Sequence, residues 1–266
     1  ANENQGSNKL KVIDRDGKYV KTLMPYAADL QIKKEKILGA FTDSDGSLIP
    51  RIFNMQQLNT YYEAYGSRGR PMSDYCSPVV DNVGCAYWLV RGGRLMAIDL
   101  SGASPYDKSP SDPLFNDIPF VSGMPTLCLS SDGKQIYISG ITRNDDEWGK
   151  NKMEMPCVYS MNIQTRKAEL FVGDPKLPGK EKGNLTIPRG LALAKGLLFV
   201  ADGPADRIVI FKETDRSFFG EIKVKNPQSI GVDSANESIY VCTYSTKGKA
   251  ELIKFKGFKD SQEICR

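Results

Sequence analysis

The residues with most chemical potential cluster between 186 and 212. Asp202 ends one apolar run, and Asp206 with Arg207 opens the next after a Gly-Pro-Ala loop. A carboxylate and a guanidinium at a strand-end loop can bind a polar ligand, and the same set also serves as a turn stabilised by an ion pair. Arg189 follows the proline that opens an earlier run and is a further candidate for a polar ligand. Trp148 lies in a charged insertion, Thr142 to Lys150, where a tight turn would otherwise suffice. Long loops on a rigid scaffold are where binding concentrates, and an indole there can stack on a sugar ring or a partner's apolar patch. The other assignment for Trp148 is packing onto the sheet edge.

Several chemistries are excluded by composition. The chain has 266 residues and no histidine, which removes Ser-His-Asp and Cys-His nucleophiles, mixed Cys/His zinc sites and His-bearing metal centres. Its six cysteines (Cys76, Cys85, Cys128, Cys157, Cys242, Cys265) contain no C-x-x-C pair, so a four-thiolate zinc site lacks its signature. Cys85, Cys128 and Cys242 fall in apolar runs and are read as free core thiols. Cys76 and Cys85 are close enough to close a local hairpin in an oxidising compartment, and that pairing stays open. Asp43 to Ser47 resembles the start of a calcium loop, but Asn54 occupies the place of the bidentate Glu, so a plain turn is expected. The cluster of Tyr61, Tyr62 and Tyr65 with Arg68 and Arg70 has the composition of a stacking surface and equally that of ordinary strands.

Lys and Arg number 36 against 32 Asp and Glu, a net charge of +4. That surplus is too small, and its basic stretches too interrupted, to argue for nucleic acid. No segment approaches the roughly 20 apolar residues of a membrane helix, so no membrane span is expected. The first residues, Ala1 to Ser7, include no Met and no apolar signal, which reads as a mature or excised chain and suits a secreted or extracytoplasmic protein.

The elements that must position these residues are short strands in repeats. Gly190 to Ala194, Leu197 to Ala201, Arg207 to Phe211 and Phe218 to Val224 are four runs separated by turn residues, a meander of about 40 residues. Similar openings follow Pro227, Pro125 and Pro78. Turns between the first two strands fall near Asn82, Asp132, Lys195 and Ala235, spaced 50, 63 and 40 residues apart. The clear units span about 77–101, 125–173, 187–224 and 227–260. Over 9–66 the pattern is thinner: a hairpin from Lys9 to Leu23 around Asp16-Gly17, then Ile37 to Thr42 and Leu48 to Phe53 as two strands. Met55 to Tyr65 is the one helical candidate. The connection from Gly102 to Gly123 reads as an ordered surface loop.

Pro188-Arg-Gly-Leu-Ala192, Leu198-Phe-Val-Ala-Asp202 and Asp206-Arg-Ile-Val-Ile-Phe211 resemble NHL-type repeats of the gluconolactonase-like β-propellers. The resemblance implies an all-β fold, a β-propeller of four-stranded blades in a single domain over 1–266. About six blade positions are expected, with the N-terminal half-blade truncated or used in ring closure. It also implies ligands near the central axis, bound by loops between strands, and Arg189, after the proline that opens the innermost strand, can point at that axis. The sequence carries no catalytic constellation, so the expected function is a non-catalytic module for a protein or carbohydrate ligand that needs no cofactor. The alternative is a calcium-dependent enzyme of lactonase or hydrolase type. Relatives that use histidine, such as amidating lyases, do not fit a chain without it.

Overall fold

The computed structural model describes residues 10–24, 40–42, 48–50, 78–90, 94–101, 120–144, 152–165, 167–179, 181–244, 249–258 and 262–265. The expectations for Asp43 to Ser47, for the helix at Met55 to Tyr65 with its Tyr and Arg cluster, for Cys76 and for Trp148 lie outside these residues. Among the described residues the structure is all strand apart from one 3-10 turn, and no helix is long and apolar enough to cross a membrane. The chain divides into two compact units, Ala1–Pro113 and Leu114–Arg266.

The described residues of the first unit form three small antiparallel sheets. Strands β1 (Leu10–Ile13) and β2 (Tyr19–Met24) form the expected hairpin. Its turn is closed by the Asp14 carboxylate, which accepts from the Asp16 and Lys18 amides at 3.0 and 2.8 Å. Strands β3 (Ala40–Thr42) and β4 (Leu48–Pro50) pair where the two inner strands were expected. Strands β5 (Val79–Val80), β6 (Ala86–Val90) and β7 (Arg94–Ile98) make the third sheet. Trp88 and Leu89 are neighbours in sequence and point to opposite faces, yet both are fully buried, as are Leu95 and Ile98.

The described residues of the second unit form three successive sheets. The middle one is a plain meander of β13 (Pro188–Ala194), β14 (Leu197–Asp202), β15 (Arg207–Lys212) and β16 (Phe218–Lys223). The last is another, β17 (Pro227–Asp233), β18 (Ser238–Tyr244), β19 (Ala250–Lys256) and β20 (Gln262–Cys265). Its closing strand lies beyond the expected limit at 260, because Gln262 to Cys265 is an edge strand with too little apolar alternation to read from sequence.

The first sheet of this unit comprises β8 (Phe120–Leu129), β9 (Gln135–Asn144), β10 (Lys152–Glu154), β11 (Cys157–Asn162) and β12 (Ala168–Gly173). One side of β9 pairs with β8. The other side pairs with β11 along its first half and with β10 at its end. This sheet is therefore a four-stranded meander whose third strand is broken at Met155 and Pro156. Beyond the break, β8, β9 and β10 continue as a three-stranded extension. Gly140, at φ +69°, sits where the β8–β9 ladder skips residues, a backbone conformation that glycine adopts without penalty. Phe120 to Gly123, expected in a surface loop, belongs to this extension as part of β8.

Packing explains the unbroken apolar runs. Leu198, Val200, Val209 and Phe211 face Tyr137, Val158 and Phe171 of the first sheet. Phe199, Ile208 and Ile210 face Ile239, Val241, Ile253 and Phe255 of the last. Successive residues of one strand thus serve two different neighbours, and β14 is buried almost from end to end. The leading strands pack side by side, β13 against both β8 and β17. Meandering sheets stacked face to face with their first strands adjacent constitute β-propeller architecture.

Cys85 is a buried free thiol and Cys128 is half-buried, but Cys242 is exposed. Its neighbours Val241 and Thr243 take the buried face of β18, so strand alternation sends Cys242 outward. The expectation of a core thiol there is corrected by the register.

Among the described glycines, Gly190 makes the closest approach between sheets. A Cβ placed there would lie 2.7 Å from the Ser229 Cα and 2.8 Å from the Gln228 carbonyl oxygen. Gly190→Ala is expected to destabilise the fold by about 1–3 kcal/mol, because backbone rather than a flexible side chain must give way. Urea unfolding monitored by Trp fluorescence would show it. An unchanged midpoint would mean that the β13–β17 approach is loose.

Candidate functional site

Asp202 ends β14 and Arg207 begins β15, directly opposite each other across the ladder. The turn between them, a 3-10 turn over Gly203–Ala205, ends at Asp206 in the left-handed region, φ 54°. Asp202 is fully buried. Its carboxylate accepts from the Thr186 and Ile187 amides at 3.0 Å each and from the Thr186 hydroxyl. The Arg207 guanidinium lies 3.4 Å from the same carboxylate and 3.2 Å from Glu221. It also donates to the Asn184 carbonyl at 2.8 Å and to those of Gly179 and Glu181 at 3.4 Å. This pair ties the crossover between β12 and β13 to the sheet that follows it. A buried charge needs such a set of partners to avoid its desolvation cost.

The tethered crossover delivers Arg189. Ile187, held by Asp202, is followed by the buried Pro188 that starts β13 and then by the exposed Arg189. The backbone carbonyl of Arg189 accepts from the buried Ser139 hydroxyl on β9. Its guanidinium donates to the Gln228 side-chain oxygen at 2.6 Å, and Nη2 lies 3.7 Å from the Glu154 carboxylate. Gln228 stands on β17 and Glu154 on β10, so three sheets contribute to one rim.

The polar chain continues from Gln228. Its amide nitrogen donates to the Asn226 side-chain oxygen at 2.6 Å. The Asn226 side chain donates to the Tyr244 carbonyl at 3.0 Å, and its backbone amide donates to the Asp206 carboxylate at 2.9 Å. Asn226, at φ 45°, shares the left-handed conformation of Asp206. Arg189 and Asp206 thus lie at two points of one network, while Asp202 and Arg207 anchor the segment that leads into it. Trp148 belongs to the connection between β9 and β10, outside the described residues.

Glu154, Gln228 and Asn226 were not singled out from sequence. A signal for Gln228 was present: it follows Pro227 as Arg189 follows Pro188, the same position in successive repeats. Glu154 carried none, because the short strand holding it, β10, matches no segment of the other repeats.

At the opposite ends of the strands the sheets are clamped by their turns. Glu213 accepts from the Ser131 amide at 2.8 Å and from the Tyr137 hydroxyl at 3.1 Å. Arg216 meets Glu169 at 2.5 Å and lies over the Phe171 ring. Lys195 pairs with Glu237 at 2.7 Å. Burial raises two thiols of the first sheet: Cys128, near this turn end, is pushed up to about 12, and Cys157, at the other end of β11, up to about 11. Among the described residues no three Cys, Asp or Glu side chains converge as a metal site would require.

No protein-family model matches the sequence, and no curated protein matches it. Solved structures do. A structural-genomics protein of unknown function from Bacteroides thetaiotaomicron is 14% identical, with a TM-score of 0.48 over 67% of this chain and 46% of its own. A gluconolactonase from Xanthomonas campestris is 14% identical, with a TM-score of 0.45 over 70% of this chain and 60% of its own. A chain of a nidogen/laminin complex is 13% identical, with a TM-score of 0.40 over 65% of this chain and 55% of its own. The chain therefore spans less than two thirds of the length of each. The fold assignment itself rests on the strand ladders.

Two outcomes follow from this geometry. Arg207→Leu leaves the Asp202 carboxylate buried without its cation and is expected to cost about 3–5 kcal/mol in chemical denaturation. Asp202→Asn combined with Arg207→Leu should recover part of that loss, and additive losses would show that the two residues do not act as a pair. In the native protein at pH 8, iodoacetamide should modify Cys242 and Cys265 well before Cys128 and Cys157. Raised thiol pKa values lower the thiolate fraction, and burial blocks access. Peptide mapping reads the order directly, and early labelling of Cys128 would contradict it.

Proposed function

We propose that this chain is a non-catalytic recognition module, an NHL-type propeller of about six blade positions acting outside the cytoplasm on a protein or carbohydrate ligand. The observation that carries this reading is the half-exposed Arg189, oriented by Gln228 and faced by Glu154 from neighbouring sheets. A guanidinium held in a fixed plane at a rim is pre-organised to bind, since little ordering entropy remains to be lost on contact. Asp202 and Arg207 support it from behind by fixing the crossover. Trp148, on the connection next to Glu154 in sequence, adds a stacking group to the same proposal. The module needs no cofactor in this reading.

A thermal-shift screen separates this from the calcium-dependent lactonase alternative. The arms are calcium, chelator, neutral and acidic oligosaccharides, and sugar lactones. A glycan at about a hundred times its dissociation constant should add roughly 2.7 kcal/mol of stability, a visible rise in midpoint. That rise should vanish in Arg189→Ala. A large calcium-dependent shift accompanied by lactone turnover would overturn the proposal.

A further inference from the structure

We infer that the Arg189 rim selects ligands bearing a carboxylate, acidic sugars being the simplest class, and that Glu154 is the counter-ion such a ligand displaces. This rests on the recognition reading above and names its ligand chemistry.

The amides of the rim are already engaged with one another. Gln228 uses its oxygen on Arg189 and its amide nitrogen on Asn226. Asn226 uses its oxygen on Gln228 and its amide nitrogen on the Tyr244 carbonyl. Each amide has a partner at both ends, and each orientation is set by the next partner along the chain. A neutral sugar can reach the remaining amide positions, but it adds no charge, so discrimination between ligands rests on Arg189.

Arg189 is differently placed. Nη1 is engaged by Gln228 at hydrogen-bond distance, which fixes the plane of the guanidinium. Nη2 lies 3.7 Å from Glu154, beyond the 2.7–3.2 Å range of an N–H···O bond, so the attraction there is coulombic without a closed hydrogen bond. Both side chains are a little over 40% exposed, at 44% and 43%, and exposed ion pairs are weak. The rim therefore offers a planar donor edge facing solvent beside an easily displaced carboxylate. Guanidinium donors match a ligand carboxylate in charge and geometry, and the bonds they form are stronger than neutral ones.

The test is a titration of the whole chain with sodium glucuronate and, in parallel, with glucose at equal ionic strength, followed by ligand-observed NMR. Glucuronate should bind more tightly than glucose and weaken as salt is raised. Arg189→Gln should lower its affinity by roughly tenfold or more, the worth of a charged hydrogen bond. Glu154→Gln should raise it by about two- to fivefold, because the competing counter-ion is gone. A merely structural role for Arg189 would produce no such gain. Thermal midpoints of both variants within a degree or two of the parent show that folding is intact, and Arg189→Lys, which keeps the charge, should retain part of the binding. Equal binding of glucose and glucuronate, or no gain in Glu154→Gln, would overturn the carboxylate inference and leave the recognition reading standing. Absence of binding by either sugar would overturn the carboxylate inference as well, and with a flat thermal screen it would remove the carbohydrate half of the recognition reading and leave a protein ligand.

Discussion

The sheet β13–β16 must bury both of its faces, and the rest of the second unit follows from that requirement. A single sheet has one apolar face in most antiparallel proteins; this one has two, so a neighbour is needed on each side. Leu198 and Phe199 show the arrangement at the scale of one peptide bond: the first packs toward the sheet before, the second toward the sheet after. Each blade is thus incomplete alone, and stability is shared along the stack rather than held in any one sheet.

Close stacking has a consequence at the strand ends. Where β13 meets β17 there is no space for a side chain at Gly190, so backbone lies against backbone. The residues flanking that contact, Arg189 and Gln228, are brought within hydrogen-bond distance although 39 positions separate them. The rim is therefore a by-product of packing: apolar faces set the spacing of the sheets, and that spacing sets which polar ends can meet.

The buried pair of Asp202 and Arg207 performs the complementary task for the chain that crosses between sheets. A crossover carries amides and carbonyls with no ladder to join, and buried polar groups of this kind require partners. Asp202 satisfies two of the amides and Arg207 three of the carbonyls. The segment that ends in Arg189 is fixed as a result, which links an interior ion pair to the orientation of an exposed guanidinium.

The amino-acid sequence alone determined the strands of the best repeat, nearly to the residue, and the exclusion of histidine chemistry. Apolar runs such as Leu197 to Ala201 and Ile208 to Phe211, bounded by Lys-Gly and Gly-Pro turns, are local signals, and burial on two faces makes them continuous. Where one face is open the signal thins: Cys242 reads as core until register shows it alternating outward, and β20 is hardly visible. The site was legible only in part. Arg189 and the set of Asp202, Asp206 and Arg207 stood out by type and position, but their distinct tasks did not, since nothing local separates a buried ion pair from an exposed one. Glu154 and Gln228 joined Arg189 only through the stacking of three sheets. Which residues meet across sheets depends on register and on the distance between faces, and those are properties of the packed chain rather than of any segment within it.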